Sequence, residues 1–229
     1  MVASWKSHIV RSAQSALRPL ADDKRAAGAF AYMKGVAPFL GITASDRRKA
    51  LKHAWHGLLA PSSDELGEAA LALMQLKERE FHYAAYDLIA WNNKVCDEDF
   101  LNTFGANLLT ITPWWDTVDG LVGAMVSPLM SRFHKDELMD AWSESGNRWL
   151  IRAAIGHQRG WKDQTDIKRV LQLCDRHWDA QEFFIAKAIG WALRDLARLK
   201  PSAVEKFLAA HDTTNRVAIR EAKRGLAGS

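Results

Sequence analysis

Apolar residues recur at intervals of three and four along almost the whole chain, and no run of β-branched residues alternates with polar ones. That period belongs to amphipathic helices, so the fold class is decided before any other feature is read: all-α. Helices of about 10–18 residues are expected to start near Trp5, Lys24, Asp46, Asp64, Arg79, Asp97 and Trp114, and again near Lys135, Arg148, Asp163, Gln181, Pro201 and Thr214. Their starts are punctuated. Thr43 and Ser45 precede one helix, Ser62-Ser63-Asp64-Glu65 opens another, Thr112-Pro113 places a cap before a first-turn proline, and Pro201 follows Lys200. The linkers are only a few residues long, so consecutive helices should be antiparallel neighbours. About a dozen helices exceed one simple bundle and suit stacked pairs of the HEAT type, although no clean sequence period is visible. The expectation is therefore a HEAT-like repeat solenoid of antiparallel helix pairs. It forms a single domain over residues 1–229, with a concave face where a long ligand would lie.

Composition narrows the functional classes. The chain is 48% hydrophobic and 25% charged, which is globular rather than disordered. Two cysteines, Cys96 and Cys174, exclude a disulfide scaffold and offer no cluster for structural zinc. The opening stretch MVASWKSHIVRSAQS lacks the apolar run of a signal peptide, and no run is long enough to span a membrane. A protein of a reducing compartment, the cytoplasm (at the nucleoid in a prokaryote), is expected. The charge is lopsided: residues 148–229 hold 16 basic and 9 acidic side chains within a chain of net charge +4. A basic C-terminal third suggests a polyanion, with nucleic acid the first candidate.

Some residues do not fit a core. In the helix from Gln181 to Leu199, Ile185, Ile189, Ala192, Leu196 and Leu199 make the buried stripe. Lys187, Trp191, Arg194 and Arg198 fall on roughly the opposite side. Either a neighbouring repeat covers that side, or it is a ligand face with cations for phosphates and an aromatic for a sugar or base. In TPWWDTVDGLVGAMV, Trp114, Val118, Leu121 and Met125 stack as an apolar face, while Trp115 and Asp119 share another face about 100° away. Asp116 is explained as a first-turn acid; Trp115 is not. NRWLIRAAIGHQRG aligns Arg148, Arg152 and Arg159 within about 40°, and Arg216, Arg220 and Lys223 repeat the pattern in the last helix. One such stripe can be a solvated surface. Three in succession point to a continuous basic track along the groove. His53 and His56 lack a third metal ligand, Glu78 and Glu80 read as a helix start, and no phosphate loop, GxSxG, HExxH or CxxC is present. Tyr32 in FAYMKG has no role that the pattern assigns.

Several segments, taken together, resemble the AlkD-like DNA alkylation repair family, monofunctional DNA glycosylases built from HEAT-like repeats. They are AYMKGVAPFLGI at 31–42 with DRR at 46–48, EREFHYAAYDL at 78–88, WWDTVD at 114–119, WLIRAAI at 149–155 and EFFIAKAIGWALRD at 182–195. They stand in order and at compatible spacing from about residue 20 to residue 210; the first twenty residues and the last fifteen match poorly. The resemblance implies a DNA-facing cleft formed by Trp115, Asp119, Arg152, Trp191 and Tyr32, all of which keep the family's residue types. Non-catalytic paralogues lose cleft residues, so their retention implies an enzyme.

The implied reaction is hydrolysis of the N-glycosidic bond of a purine alkylated at N3 or N7 in duplex DNA, by a monomer and without metal or organic cofactor. Alkylation makes the base a cationic, good leaving group. Asp119 would stabilise the developing oxocarbenium ion or orient water, and Trp115 and Trp191 would contact the sugar and the cationic nucleotide. Arg152 would hold a backbone phosphate, with Arg148, Arg159, Lys187, Arg194 and Arg198 along the track. Members of the family can act without a base-flipping pocket, so an open groove is expected, with Trp115, Asp119, Arg152 and Trp191 on one concave surface. The rival reading is a non-catalytic HEAT-like module that binds DNA or serves as a protein adaptor; it should be indifferent to Asp119.

Overall fold

Every regular element in the computed structural model is helical, with no strand among the described residues, 4–228. Met1–Ala3 and Ser229, the ends of the expected 1–229 domain, lie outside them. The chain divides between Met125 and Val126 into two compact units.

The first unit contains α1 (Trp5–Leu17), α2 (Asp23–Tyr32), α3 (Ala44–Ala54), α4 (Ser63–Met74), α5 (Arg79–Asn92), α6 (Ala106–Thr110) and α7 (Trp115–Leu121). Short polar side chains start most of them by accepting otherwise orphaned backbone N–H groups. Ser4, Asp22 and Thr43 cap α1, α2 and α3, and Ser62 with Glu65 closes a capping box on α4. The helix expected near Asp97 begins as a turn that passes through a π-helical segment, Leu101–Gly105, into α6. Thr112-Pro113 does not cap α7 as expected. Thr112 adopts a left-handed φ of 46°, its carbonyl accepts from Arg79, and the helix starts behind Trp114 instead. Ile9, Leu17, Leu51, Leu66, Leu73, Phe81, Leu88 and Val118 form the sealed interior, where α1 packs on α3 and α4, and α5 on α4 and α7. Removing one such leucine side chain costs about 2–5 kcal/mol.

The second unit contains α8 (Ser127–Phe133), α9 (Asp136–Glu144), α10 (Arg148–Ile155), α11 (Ile167–Arg176), α12 (Phe183–Ala197), α13 (Pro201–Ala210) and α14 (Arg216–Leu226). α8 has no counterpart among the expected starts; Pro128 sits in its first turn. The core stripe of α12 is as expected for Ile185, Ile189 and Leu196, which pack with Val170, Leu173 and Val204. Leu199 departs from it, lying past the end of α12 and 42% exposed. α12 packs tightly against α14, and two glycines make it possible. A Cβ on Gly190 would meet Glu221 Cβ at 2.8 Å, and one on Gly225 would meet the Arg194 carbonyl at 2.6 Å. Arg159, expected to share one helix face with Arg148 and Arg152, does not: α10 ends at Ile155 and Arg159 lies in the turn that follows.

Candidate nucleic-acid interface

In the first unit the candidate residues Trp115 and Asp119 sit one turn apart on α7, both half-buried, while Val118 and Leu121 are fully buried. This is the separation of faces the periodicity requires. The first turn of α7 is anchored by a charge that sequence reasoning left out. Arg79 at the start of α5 is 1% exposed. Its guanidinium donates to both oxygens of Asp116, at 3.1 and 2.6 Å, to the Thr112 carbonyl at 2.8 Å, to Thr117 Oγ1 at 3.1 Å and to His82 Nδ1 at 3.3 Å. All five donors of the arginine are engaged. Tyr83 donates its hydroxyl to Asp116 Oδ2 at 2.5 Å. Burial, with the Asp116 carboxylate beside it, pushes the Tyr83 phenol above its ordinary value, so it remains a donor. Asp116 is thus more than the first-turn acid expected; it fixes the helix that presents Trp115 and Asp119. Gly120 completes the fit, since a Cβ there would meet the Tyr86 ring at 2.6 Å.

Tyr32, at the end of α2, is 70% exposed. It stands at a cavity of about 380 Å³ lined also by Phe39, Arg47, Tyr83, Tyr86 and Asp116. Arg47 is buried and bonded to Asp87 at 3.1 and 3.0 Å, with its guanidinium carbon 5.0 Å from the centre of the Tyr83 ring. Neither acid of the Glu78/Glu80 pair is placed for catalysis. Glu80 accepts from the backbone N–H groups of Leu40, Gly41 and Ile42, and Glu78 pairs with Arg18.

In the second unit, Trp191 is half-buried on α12 and surrounded by cations. Arg152, Arg159, Lys187 and Arg194 lie 5.1, 5.6, 5.6 and 5.7 Å from its ring centre. Each is within cation–π range. Four of the seven sequence candidates for DNA contact are therefore gathered at one indole in the same unit. Arg148 and Arg198 are not: Arg148 pairs with Glu182 and lies over Trp149, and Arg198 is exposed beyond α12. Tyr32 belongs to the first unit.

Of the two readings of the Lys187/Trp191/Arg194 side, cover by a neighbouring helix is partly realised, because α14 packs over part of it. Glu221 on α14, 1% exposed, accepts from Lys187 at 2.9 Å, Arg194 at 3.0 Å and Arg224 at 2.9 Å. Burial alone would raise the Glu221 carboxyl, but the Lys187 hydrogen bond and the charges of Lys187, Arg224 and Arg194 hold it below the usual carboxylate range. Arg152 is 3% exposed and donates to the Phe184 carbonyl at 2.7 Å. Arg159 is exposed. Glu221 escaped sequence reasoning because it lies among basic residues of the last helix. Gly190 and Gly225, two glycines inside helices, were the available sign that something approaches there.

No helix among the described residues is long and apolar enough to cross a membrane. The model of a family described as DNA alkylation repair enzyme matches residues 13–226. Among solved structures, the chain is similar to one described as "Predicted DNA alkylation repair enzyme from Enterococcus faecalis". The TM-score is 0.83 at 26% identity, covering 91% of this chain and 98% of that one. No curated protein matches the chain significantly.

Proposed function

The chain belongs to the DNA alkylation repair enzyme family, and from that premise we propose that it is a monofunctional DNA N-glycosylase. It releases cationic N3- or N7-alkylated purines from duplex DNA, acting as a monomeric HEAT-like domain with an open basic groove in place of a base-flipping pocket. The observation that carries this reading is Asp119 held one turn from Trp115 on a helix whose first turn is locked by Arg79, Asp116 and Tyr83.

In the reaction the C1′–N bond breaks and its electron pair leaves with the base, which becomes neutral. Positive charge accumulates on the deoxyribose, water adds its oxygen to C1′, and the proton lost from that water passes to solvent. Because the base carries its own positive charge, no strong general acid is needed. Asp119 supplies the negative charge that favours the oxocarbenium ion. The indole faces of Trp115 and Trp191 favour the cationic nucleotide. Arg159, exposed beside the Trp191 ring, binds backbone phosphate near the lesion, and the other exposed cations, with Tyr32, extend the contact along the duplex. Arg152, expected to hold a phosphate, is too buried for that and instead positions the Trp191 indole.

The test is single-turnover release of 7-methylguanine from a duplex carrying one such base, for wild type and Asp119→Asn. The variant should lose roughly 10²–10³ in rate, about 3–4 kcal/mol, with duplex affinity unchanged or higher and melting preserved. Equal rates would remove Asp119 from catalysis. Absence of excision by wild type on any alkylated base would leave a DNA-binding module.

A further inference from the structure

Three of the chain's ten tryptophans, Trp5, Trp55 and Trp91, take no part in the site above and converge elsewhere in the first unit. With Lys52, Leu58 and Asn92 they line a cavity of about 300 Å³ where α1, α3 and α5 meet. The size is that of a small-ligand site. The family match begins only at residue 13, so Trp5 lies outside it.

The walls are fixed aromatic surfaces. Trp5 donates its indole N–H to the Leu59 carbonyl at 3.2 Å, and Trp55 donates to Ser12 Oγ at 3.1 Å. With those groups satisfied by protein, the rings are oriented without help from a ligand. Trp55 and Trp91 stand edge to face, centroids 5.8 Å apart at 71°, and make an aromatic corner. Trp91 is 37% exposed, more than is usual for a tryptophan. Lys52 Nζ lies 5.5 Å from the centre of its ring. Asn92 uses its amide N–H on the Leu88 carbonyl, which leaves its side-chain oxygen to accept a hydrogen bond.

The charge around the corner has one sign along α3. Lys49, Lys52 and His53 are exposed on one face of the helix, and His56 follows in the turn. The only acid of α3, Asp46, is at its opposite end and bonded to Thr43. Stacking rings next to two lysines one turn apart, with histidine rings beside them, offer the chemistry that holds a single strand of nucleic acid: bases on the aromatic faces, phosphates on the basic side.

We propose that this corner is a single-strand binding site, separate from the Trp115 and Trp191 residues. One nucleobase stacks on Trp91 with its edge against Trp55 and hydrogen-bonds to the Asn92 side-chain oxygen, its phosphate meets Lys52, and the neighbouring phosphate meets Lys49. A free nucleotide carries the same base and phosphate but would use only Lys52, so the strand is the occupant. The inference does not depend on the glycosylase reading, because it concerns other residues and a different nucleic acid.

The experiment is a fluorescence-anisotropy titration of a labelled single-stranded thymidine oligonucleotide at low salt. Proteins are the full-length wild type, Trp91→Ala, Trp91→Phe and Lys52→Ala, each checked by thermal melting. Loss of one stacking partner typically weakens binding by roughly 5- to 150-fold. Trp91→Ala should show a loss in that range and Trp91→Phe should recover most of it. Lys52→Ala should lower the salt dependence by about one phosphate contact, and 7-methylguanine release from duplex should be unchanged in all three. Thymidine monophosphate should compete only at far higher concentration than the oligonucleotide. The proposal is overturned if Trp91→Ala and Lys52→Ala both bind the strand like wild type. It is also overturned if the mononucleotide competes as well as the strand, or if an acidic peptide displaces the oligonucleotide at equal concentration.

Discussion

The two units each carry an indole on a helix, yet they surround it with opposite electrostatics. In the first, Trp115 travels with the acid Asp119, and the charges that anchor their helix, Arg79 and Asp116, are buried and mutually paired. In the second, Trp191 has four cations within 5.7 Å, and one buried carboxylate, Glu221, serves Lys187, Arg194 and also Arg224. In the first unit the charges that hold the indole's helix are buried and pair with each other; in the second, cations stand against the indole itself. The difference fits a division of tasks in which a fixed carboxylate favours a developing cation and a positive region gathers phosphates.

The comparison breaks most easily at Arg79. Arg79→Ala leaves Asp116 buried without its partner, a loss of about 3–5 kcal/mol in chemical denaturation. It should reduce excision along with stability, because Trp115 and Asp119 lose their anchored first turn. Glu221→Gln is the matching change in the second unit and should cost less, about 1–3 kcal/mol, since Lys187 and Arg194 retain some solvent contact at 22% and 32% exposure. It should also tighten binding to undamaged duplex and steepen its salt dependence, as Lys187, Arg194 and Arg224 gain freedom to meet phosphates. Equal destabilisation with no change in slope would show that the contrast between the units has no functional content.

Arg159→Ala sharpens the picture on the cationic side. Its side chain is exposed beside the Trp191 ring, so a salt titration should lose about one contact from the slope while melting stays put. The smallest effect should fail to distinguish the units at all. Each has one deeply buried histidine, His82 and His157, held below the ordinary imidazole value mainly by burial. The unfolded chain takes up these protons near pH 6.5, and the folded chain only at lower pH. Their contribution is therefore complete above that value and lost as pH falls below it. Melting followed from pH 7 to pH 5 should show the decline, and His82→Gln or His157→Gln should each flatten part of it.

Most helix starts were legible because they rest on local chemistry. Thr43, the Ser62/Glu65 box and Pro201 act on their own neighbours, and the α12 stripe follows from period alone. Thr112-Pro113 misled because the threonine's geometry is set by Arg79, more than thirty residues earlier. α8 was hidden because GLVGAMVSPLM reads as one apolar run, with Ser127-Pro128 the sole sign of a new start. The candidate residues Trp115, Asp119 and Trp191 could be found because each sits off an apolar stripe. Their supports could not: nothing in the pattern marks Arg79, a helix start, as buried, or Glu221 as an acid shared by three cations. A buried ion pair depends on which helices meet, and periodicity is silent about that.

Arg79 also bears on how sequences of this kind can diverge. Its five donors serve Thr112, Asp116, Thr117 and His82 at once. Lysine at that position has three donors and no planar fork, and could not replace it bond for bond. A single exchange at any of these positions strands a buried polar atom, so drift must pass through coordinated changes or through a less stable intermediate. Exposed positions such as Arg198 or Arg216 face no such barrier. Among homologues, the positions of Arg79, Asp116 and Thr117 should therefore change together, while the basic surface exchanges its lysines and arginines freely.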